Sequence, residues 1–206
     1  LVRREIRGRP ARILDLGCSG GEWLKALRAD GCANATGIDL SAEAVARCRA
    51  AGLDARVMDA QALDFPADAF AVLTASDVLE HIEDDARALR EWRRVLQPGG
   101  LLVVFVPAFM FLWSDHDVAN RHYRRYRRGA LARLLAANGF VVERSSYWNA
   151  LLFPPVALIR LWRGWRPRRR EGEAGDLIEP PDSLNTLLTA LLYFENHLLR
   201  LGNRWF

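Results

Sequence analysis

Three aspartates that each follow a short apolar run are the residues of this sequence best suited to bind a polar ligand. Asp15 closes the run that begins at Ile13, Asp39 closes a second run, and Asp59 closes a third. A glycine-rich turn ending at Gly21 separates the first run from helix-forming sequence. Glycine lets a ligand approach the backbone closely, and a helix start offers free N–H groups and the positive end of a dipole. The arrangement predicts a nucleotide-type binding site in an open parallel sheet.

Two other kinds of site fit parts of the same turn, ILDLGCSGG at residues 13–21. The dinucleotide motif G-x-G-x-x-G fails, because Ser19 and Glu22 stand where its later glycines belong. The spacing G-x-S-x-G around Ser19 matches the nucleophile elbow of serine hydrolases. That motif needs a sheet already several strands deep, whereas Ser19 follows the first recognisable strand. A hydrolase that uses Ser19 stays open as an alternative.

The positions of two of the acids suggest how an adenosine would be held. A carboxylate at the end of the second strand, such as Asp39, can accept both ribose hydroxyls, as it does in dinucleotide-binding folds. Asp59 could accept the exocyclic amine of adenine, with the Ala60 N–H facing a ring nitrogen. The alternative for Asp39 is a surface acid at the N-terminus of a helix, and the alternative for Asp59 is a solvated acid at the end of a strand.

Strands and helices must alternate along the chain to bring these acids together. The order predicts parallel pairing with right-handed crossovers, after an N-terminal helix that Pro10 ends. No seventh strand is recognisable, and the chain begins at Leu1, so we expect a trimmed version of a longer protein. The predicted strands are 13–16, Ala35–Asp39, Ala55–Asp59, Ala69–Ala75, Leu101–Val106 and Phe140–Tyr147, and the predicted helices are Glu22–Asp30, Ala42–Ala50, Glu83–Val95 and Gly129–Asn138.

Composition is consistent with one α/β domain that carries an extension. The chain has 206 residues, half of them hydrophobic, and a formal charge of +4. No apolar run reaches transmembrane length and no signal peptide is visible. Cys18, Cys32 and Cys48 lack the spacing of a metal or disulfide site, which favours a reducing, cytoplasmic location.

The motifs together resemble the class I S-adenosylmethionine (SAM)-dependent methyltransferases. ILDLGCSGG, GIDLS at 37–41, VMDA at 57–60, ASDVLEHIED at 75–84 and VLQPGGLLVVFVPA at 95–108 occur in that family's order and spacing. LEHI followed by LQPGG resembles its small-molecule branch, the ubiquinone-biosynthesis-like and methyltransferase 11/12 types. The resemblance implies a Rossmann-like, doubly wound, mostly parallel sheet. The [DNS]-P-P-[YF] box of enzymes that methylate nucleic-acid amines is missing, so we expect no nucleic-acid partner.

The resemblance implies a set of SAM contacts. Asp15 would orient the methionine ammonium, and Ser76 would line the methionine end near the methyl group. Ser19 stands where many members of the family have glycine, which narrows the turn slightly. At the turn, Gly17, Ser19 and Gly21 would make room for the cofactor. The ribose side would be bound by Asp39 and Leu40, and adenine by Asp59 and Ala60.

Two histidines are candidates for the base that a hydroxyl acceptor needs. His81 follows the fourth strand on the side where a substrate should lie, and histidine titrates near neutral pH. A packing or capping histidine is the alternative. His122 is the second candidate, since it lies four residues before Tyr126 and the two would share a helix face.

The segment Phe109–Arg128 mixes aromatic, acidic and arginine side chains after the fifth strand, where such folds place substrate-facing loops. Its W-S-x-H-D…H-x-R-R-Y pattern resembles a bacterial methyltransferase subgroup often described near genes for cell-surface glycan or lipid assembly. We predict substrate contacts from four of its residues, and no metal, because His116, Asp117 and His122 fit no standard spacing. The predicted contacts are Trp113, Arg124, Arg125 and Tyr126.

The chain divides into a SAM-binding core over residues 1–148 and a helical extension over 149–206. Asn149–Trp165 is apolar with tryptophan and arginine, and Ser183–Leu201 has a leucine stripe at helical spacing. These helices would form a lid or dimer interface, or lie on a membrane surface. We therefore expect SAM-dependent methyl transfer to oxygen of a small-molecule or lipid/glycan-linked acceptor. A non-catalytic membrane-associated module with this fold is a further alternative.

Overall fold

A computed structural model describes residues 12–32, 34–154, 157–158 and 181–201, with side chains up to residue 198. Its centre is a five-stranded, all-parallel sheet with strand order β3-β2-β1-β4-β5. The predicted N-terminal helix lies outside the described residues, as does most of 149–170. The strands are β1 (Ile13–Leu16), β2 (Ala35–Asp39), β3 (Asp54–Val57), β4 (Phe70–Ser76) and β5 (Leu96–Phe105).

Helices connect the strands as the alternation predicted. Ser41 begins one of them by accepting the Ala44 N–H at 3.2 Å, and Asp84 begins another by accepting the Arg87 N–H at 2.9 Å. Such caps satisfy N–H groups that a helix start leaves without an internal partner. The helices are α1 (Glu22–Ala29), α2 (Ala42–Ala50), α3 (Asp85–Val95), α4 (Asp115–Ala119), α5 (Arg128–Ala137) and α6 (Asp182–Leu201).

The direction of the chain across the sheet reverses between β1 and β4. Successive strands step outward from β1 to β3, and β4 then returns to pair with the other side of β1. Asp15 of β1 lies between Gly37 of β2 and Thr74 of β4. Ligands of open α/β sheets bind in the crevice outside such a reversal, at the carboxyl ends of the strands.

The core lies mainly between α3 and the sheet. Leu89, Trp92 and Val95 of α3 are fully buried, and Phe70 and Leu73 of β4 are buried in the same cluster. Burying side chains of this size contributes roughly 1.5–3 kcal/mol each, which holds the strand ends in place.

The sixth predicted strand is wrong: Phe140–Tyr147 forms no strand in the described structure. Val141 is 90% exposed, and no described strand is hydrogen-bonded to the run. A β-rich run becomes a strand only when it finds a partner to pair with. Two strands also differ in extent from the prediction. β3 ends at Val57, before Asp59. β5 begins at Leu96, so residues 98–100 lie inside the strand, where its register against β4 shifts.

The C-terminal helix confirms the leucine pattern. α6 contacts the segment that follows Trp148 through Glu195, which is 1% exposed. The Glu195 carboxylate accepts the N–H groups of Ala150 at 2.9 Å and Leu151 at 3.0 Å. The Trp148 indole N–H donates to Asn196 at 3.3 Å. Among the described helices, none is long and apolar enough to cross a membrane.

Candidate active site

The turn after β1, which we call the glycine cradle, packs closely against neighbouring side chains at two of its glycines. Gly17 and Gly21 have φ of 70° and 79°, a region that glycine adopts without strain. A Cβ at Gly17 would lie 2.5 Å from Val78, and one at Gly21 would lie 2.7 Å from Leu53. Ser19 also has positive φ, at 47°, so the turn is held open at some conformational cost.

Asp39 is held rigidly at the end of β2, facing this turn. Its two carboxylate oxygens accept the backbone N–H of Ser19 at 2.9 Å and of Ser41 at 2.8 Å. A carboxylate offers about four acceptor sites, so two remain for hydroxyl groups of a ligand. Leu40, the next residue, is 72% exposed, which puts an apolar surface beside the acid.

Asp59 lies next to Asp39, although it comes two residues after β3 rather than at its last position. The Met58 N–H donates to the Asp39 carbonyl at 3.1 Å, which brings the two segments together. The Asp59 carboxylate accepts the Gln61 N–H at 2.8 Å, and the indole N–H of Trp92 donates to the Ala60 carbonyl at 2.9 Å. The core thus anchors the loop that would meet adenine.

Asp15 lies deeper than the other two acids. It is 5% exposed and accepts the Thr74 hydroxyl at 2.7 Å. Burial raises the pKa of Asp15 to about 7, the Thr74 hydrogen bond opposes the rise, and the charge of Asp39 adds to it. A nearby cation, such as a ligand ammonium, would favour the ionised form. At the end of β4, Ser76 is exposed and its hydroxyl donates to Asp77 at 3.1 Å.

The two candidate bases lie together at the carboxyl end of β4. The rings of His81 and His122 are perpendicular, with centroids 4.5 Å apart. His81 is exposed, whereas the His122 side chain is 9% exposed. Burial lowers the pKa of His81, and the neighbouring His122 lowers it further. The expected helix through 122–126 is wrong: this run is a loop, and it reaches the site because the Tyr123 N–H donates to the Glu80 carbonyl at 2.8 Å.

Asp117 orients His122. The two side chains hydrogen-bond at 2.9 Å through His122 Nδ1, and Asp117 is fully buried. Arg125 donates to both Asp117 oxygens, at 2.7 and 2.8 Å, and the Ser114 N–H donates at 2.8 Å. Burial opposes ionisation of Asp117, but the hydrogen bonds from Arg125, Ser114 and His122 outweigh it and hold its pKa below the usual range.

The arginines predicted to grip a substrate are already engaged within the protein. Arg125 is bound to Asp117, and Arg124 donates to Asp85 at 3.0 Å. Tyr126 is 7% exposed and its hydroxyl donates to the same Asp85 at 2.9 Å. These contacts fasten the loop to the start of α3. Trp113 is half-buried at the start of the same segment.

An aromatic cluster lies just beyond β5. Phe109, with φ of 61°, stacks on Tyr147 at 4.9 Å between centroids and lies 5.4 Å from Phe111 and 5.3 Å from Phe153. Phe111 is 50% exposed. This surface suits an apolar or aromatic part of a ligand.

Sequence reasoning missed one group at this edge. Glu80 is fully buried, and neither of its carboxylate oxygens has a hydrogen-bond partner among the described residues. Burial raises the pKa of Glu80 to about 8. The LEHI motif contains Glu80, but the burial of its side chain is a property of the folded structure and could not be read from the motif.

The serine-hydrolase alternative finds no support in the geometry. The Ser19 backbone is committed to Asp39, and in the part of the chain that the structure describes no histidine is hydrogen-bonded to its hydroxyl. A nucleophilic serine needs such a base.

Three acids beside a glycine cradle, at the reversal point of a parallel sheet, are the arrangement typical of nucleotide-binding sites in Rossmann-like folds. A family model described as "Methyltransferase domain" matches residues 2–145. The chain belongs to this family of SAM-dependent methyltransferases.

Individual relatives agree on the family. Over 95 residues the chain is 36% identical to the ubiquinone biosynthesis O-methyltransferase of Sodalis glossinidius (strain morsitans), an alignment covering 43% of this chain and 38% of that protein. The chain thus matches less than half the length of this curated relative.

Solved structures share the fold. The S-adenosylmethionine dependent methyltransferase from Mesorhizobium loti has a TM-score of 0.62 at 24% identity, covering 78% of this chain and 90% of that one. A Haloferax volcanii methyltransferase solved with the Trm112 methyltransferase activator has a TM-score of 0.59 at 25% identity, covering 67% and 64%. The predicted class I methyltransferase fold is confirmed.

Proposed function

We propose that this protein transfers a methyl group from SAM to an oxygen atom of a small-molecule or lipid/glycan-linked acceptor. The observation that carries the proposal is the fixed Asp39 carboxylate, held by Ser19 and Ser41 beside the glycine cradle. Similarity to an O-methyltransferase supports oxygen as the acceptor atom. The missing amine-methylation box argues against a nucleic-acid substrate.

The residues present fit SAM at the cradle. Asp39 and Leu40 would hold the ribose side, and Asp59 with Ala60 the adenine. Asp15 would face the methionine ammonium, and Ser76 would line the methionine end. Gly17, Ser19 and Gly21 would form the turn that faces SAM. A Cβ at Gly17 or Gly21 would overlap Val78 or Leu53, so glycine at these positions lets the turn pack closely.

Bound SAM supplies a sulfonium-activated methyl group, so the protein mainly has to align the acceptor. A hydroxyl acceptor loses its proton as it is methylated. His81 and His122 lie at the same sheet edge as Ser76. We assign to these two histidines the role of promoting loss of the acceptor proton. Asp117 fixes the orientation of His122. We assign Arg124, Arg125 and Tyr126 to holding this loop, in place of direct contact with the acceptor.

The extension over 149–206 is proposed to cover the acceptor or a second copy of the chain. α6 keeps large apolar side chains exposed: Leu184, Leu187, Tyr193 and Phe194 are 44–74% exposed. The aromatic cluster around Phe109 lies between the core and this extension. An apolar acceptor or a lipid tail would bury both surfaces, and the three free cysteines fit a cytoplasmic setting.

Binding and chemistry can be tested separately. Isothermal titration with S-adenosylhomocysteine should show one site per chain, weakened by Asp39→Ala. Incubation with radiolabelled SAM and extracts of phenolic, glycan and lipid fractions should then label an acceptor. Binding without transfer to any fraction would favour the non-catalytic module.

A further inference from the structure

Glu80, His81 and His122 bring three metal-ligand groups to one point at the carboxyl end of β4. One ligand atom from each lies within 4.8 Å of the others. Glu80 comes from the turn after β4 and His122 from the loop after β5, so the set is assembled by the fold. The spacing of these residues along the sequence matches no standard metal-binding motif.

The buried carboxylate is the first reason to expect a ligand here. Glu80 is fully buried, and both oxygens lack a hydrogen-bond partner among the described residues. An unpaired buried carboxyl group costs free energy unless a cation or proton meets it. Arg125 is near, but its guanidinium is taken up by Asp117.

The orientation of His122 is the second reason. Its Nδ1 is hydrogen-bonded to the buried Asp117 carboxylate at 2.9 Å. In a neutral imidazole the nitrogen opposite a donated N–H is an acceptor. A carboxylate or carbonyl behind a histidine is the usual arrangement that orients a metal-binding imidazole and raises its basicity.

We propose that Glu80, His81 and His122 bind one divalent transition-metal ion. Two imidazoles and one carboxylate suit Zn²⁺, Fe²⁺ or Mn²⁺ better than Mg²⁺ or Ca²⁺, which take oxygen ligands. Three protein ligands leave a position open to water or substrate. The proposal departs from the sequence prediction of no metal, which considered His116 and Asp117 in place of Glu80 and His81.

The ion would explain how the site promotes loss of the acceptor proton, a part of the inference that depends on the proposed function. The ion would lower the pKa of an acceptor oxygen bound at its open position, and the released proton would pass to solvent. The two histidines then act as ligands and neither acts as the base.

The test is metal binding to the full chain, freed of metal by chelator, without SAM or acceptor. Titration with Zn²⁺, and with Co²⁺ followed by visible absorption, should show one site per chain, with Mg²⁺ at least about a hundredfold weaker. Glu80→Gln, His81→Ala and His122→Ala should each weaken Zn²⁺ binding at least about tenfold, and Asp117→Asn about 10–100-fold.

His116→Ala is the matched control, because His116 lies in the same segment, with its ring 6.4 Å from that of His122, yet outside the ligand set. Its Zn²⁺ affinity should match the wild type. Absence of one-site binding, or binding that all three ligand variants leave unchanged, overturns the proposal. S-adenosylhomocysteine titration of the same samples distinguishes failure of the metal proposal from failure of the proposed function. Intact S-adenosylhomocysteine binding without metal binding refutes only the metal site.

Discussion

His122 Nδ1 lies 2.9 Å from a carboxylate oxygen of Asp117, an acid that no solvent reaches. The same carboxylate is gripped by Arg125. One buried acid therefore fixes both the orientation of a candidate functional histidine and the path of the loop after β5.

Breaking this buried ion pair from one side should be costly. Asp117→Asn leaves the guanidinium of Arg125 buried without its charge partner, so we expect a loss of roughly 3–5 kcal/mol in the free energy of unfolding. Urea denaturation measures it. Arg125→Met combined with Asp117→Leu should lose much less than the sum of the two single changes. Additive losses would show that the pair is not coupled.

The glycine cradle should tolerate a methyl group at one position and reject it at another. Gly17→Ala places a Cβ 2.5 Å from Val78 at a φ of 70°, and should cost about 1–3 kcal/mol of stability. Gly20→Ala is the matched control, because a Cβ there meets nothing within 4 Å. Thermal melting of the two variants measures the difference. Equal melting temperatures would mean that the turn is not constrained at Gly17.

The pH dependence of stability should carry the signature of Asp15. Its pKa rises from 3.8 to about 7 on folding, with burial as the main cause. Between these values the folded state holds a proton that the unfolded state has lost, so this contribution to stability is present at low pH and lost as pH rises through 7. The effect is on the order of 2–4 kcal/mol.

Asp15→Asn isolates that contribution. The variant keeps an acceptor for Thr74 but cannot ionise, so the wild type should lose stability relative to it as pH rises from about 4 to about 8. Chemical denaturation at a series of pH values provides the comparison. A difference that stays flat over this range would show that Asp15 is not perturbed by burial.

The nucleotide-binding half was predictable because its signals are local. Apolar runs, a glycine turn and a serine cap place β1, β2 and α2 within a residue of their true bounds. Asp39 follows from the end of a strand in a parallel sheet, whose carboxyl ends share one edge.

The acceptor half was less predictable because it depends on long-range contacts. The Glu80 carbonyl accepts the N–H of Tyr123, which lies over forty residues away along the chain, and the burial of the Glu80 side chain is visible only in the folded structure. Arg124 and Arg125 looked like free cations, but Asp85 and Asp117 pair with them only once the loop has folded. The prediction of a sixth strand at Phe140–Tyr147 was wrong for a related reason, since the strand propensity of a sequence does not supply a neighbouring strand to pair with.

Calorimetric titration with S-adenosylhomocysteine, comparing wild type with Asp39→Ala, tests the central claim most directly. The wild type should bind at one site with a dissociation constant on the order of micromolar, and Asp39→Ala should bind at least about tenfold more weakly. Glu43→Ala removes an exposed acid on α2 that pairs with Arg47, and this variant should bind like the wild type. Absence of binding to the wild type, or binding unchanged in Asp39→Ala, would contradict a SAM site at this cradle.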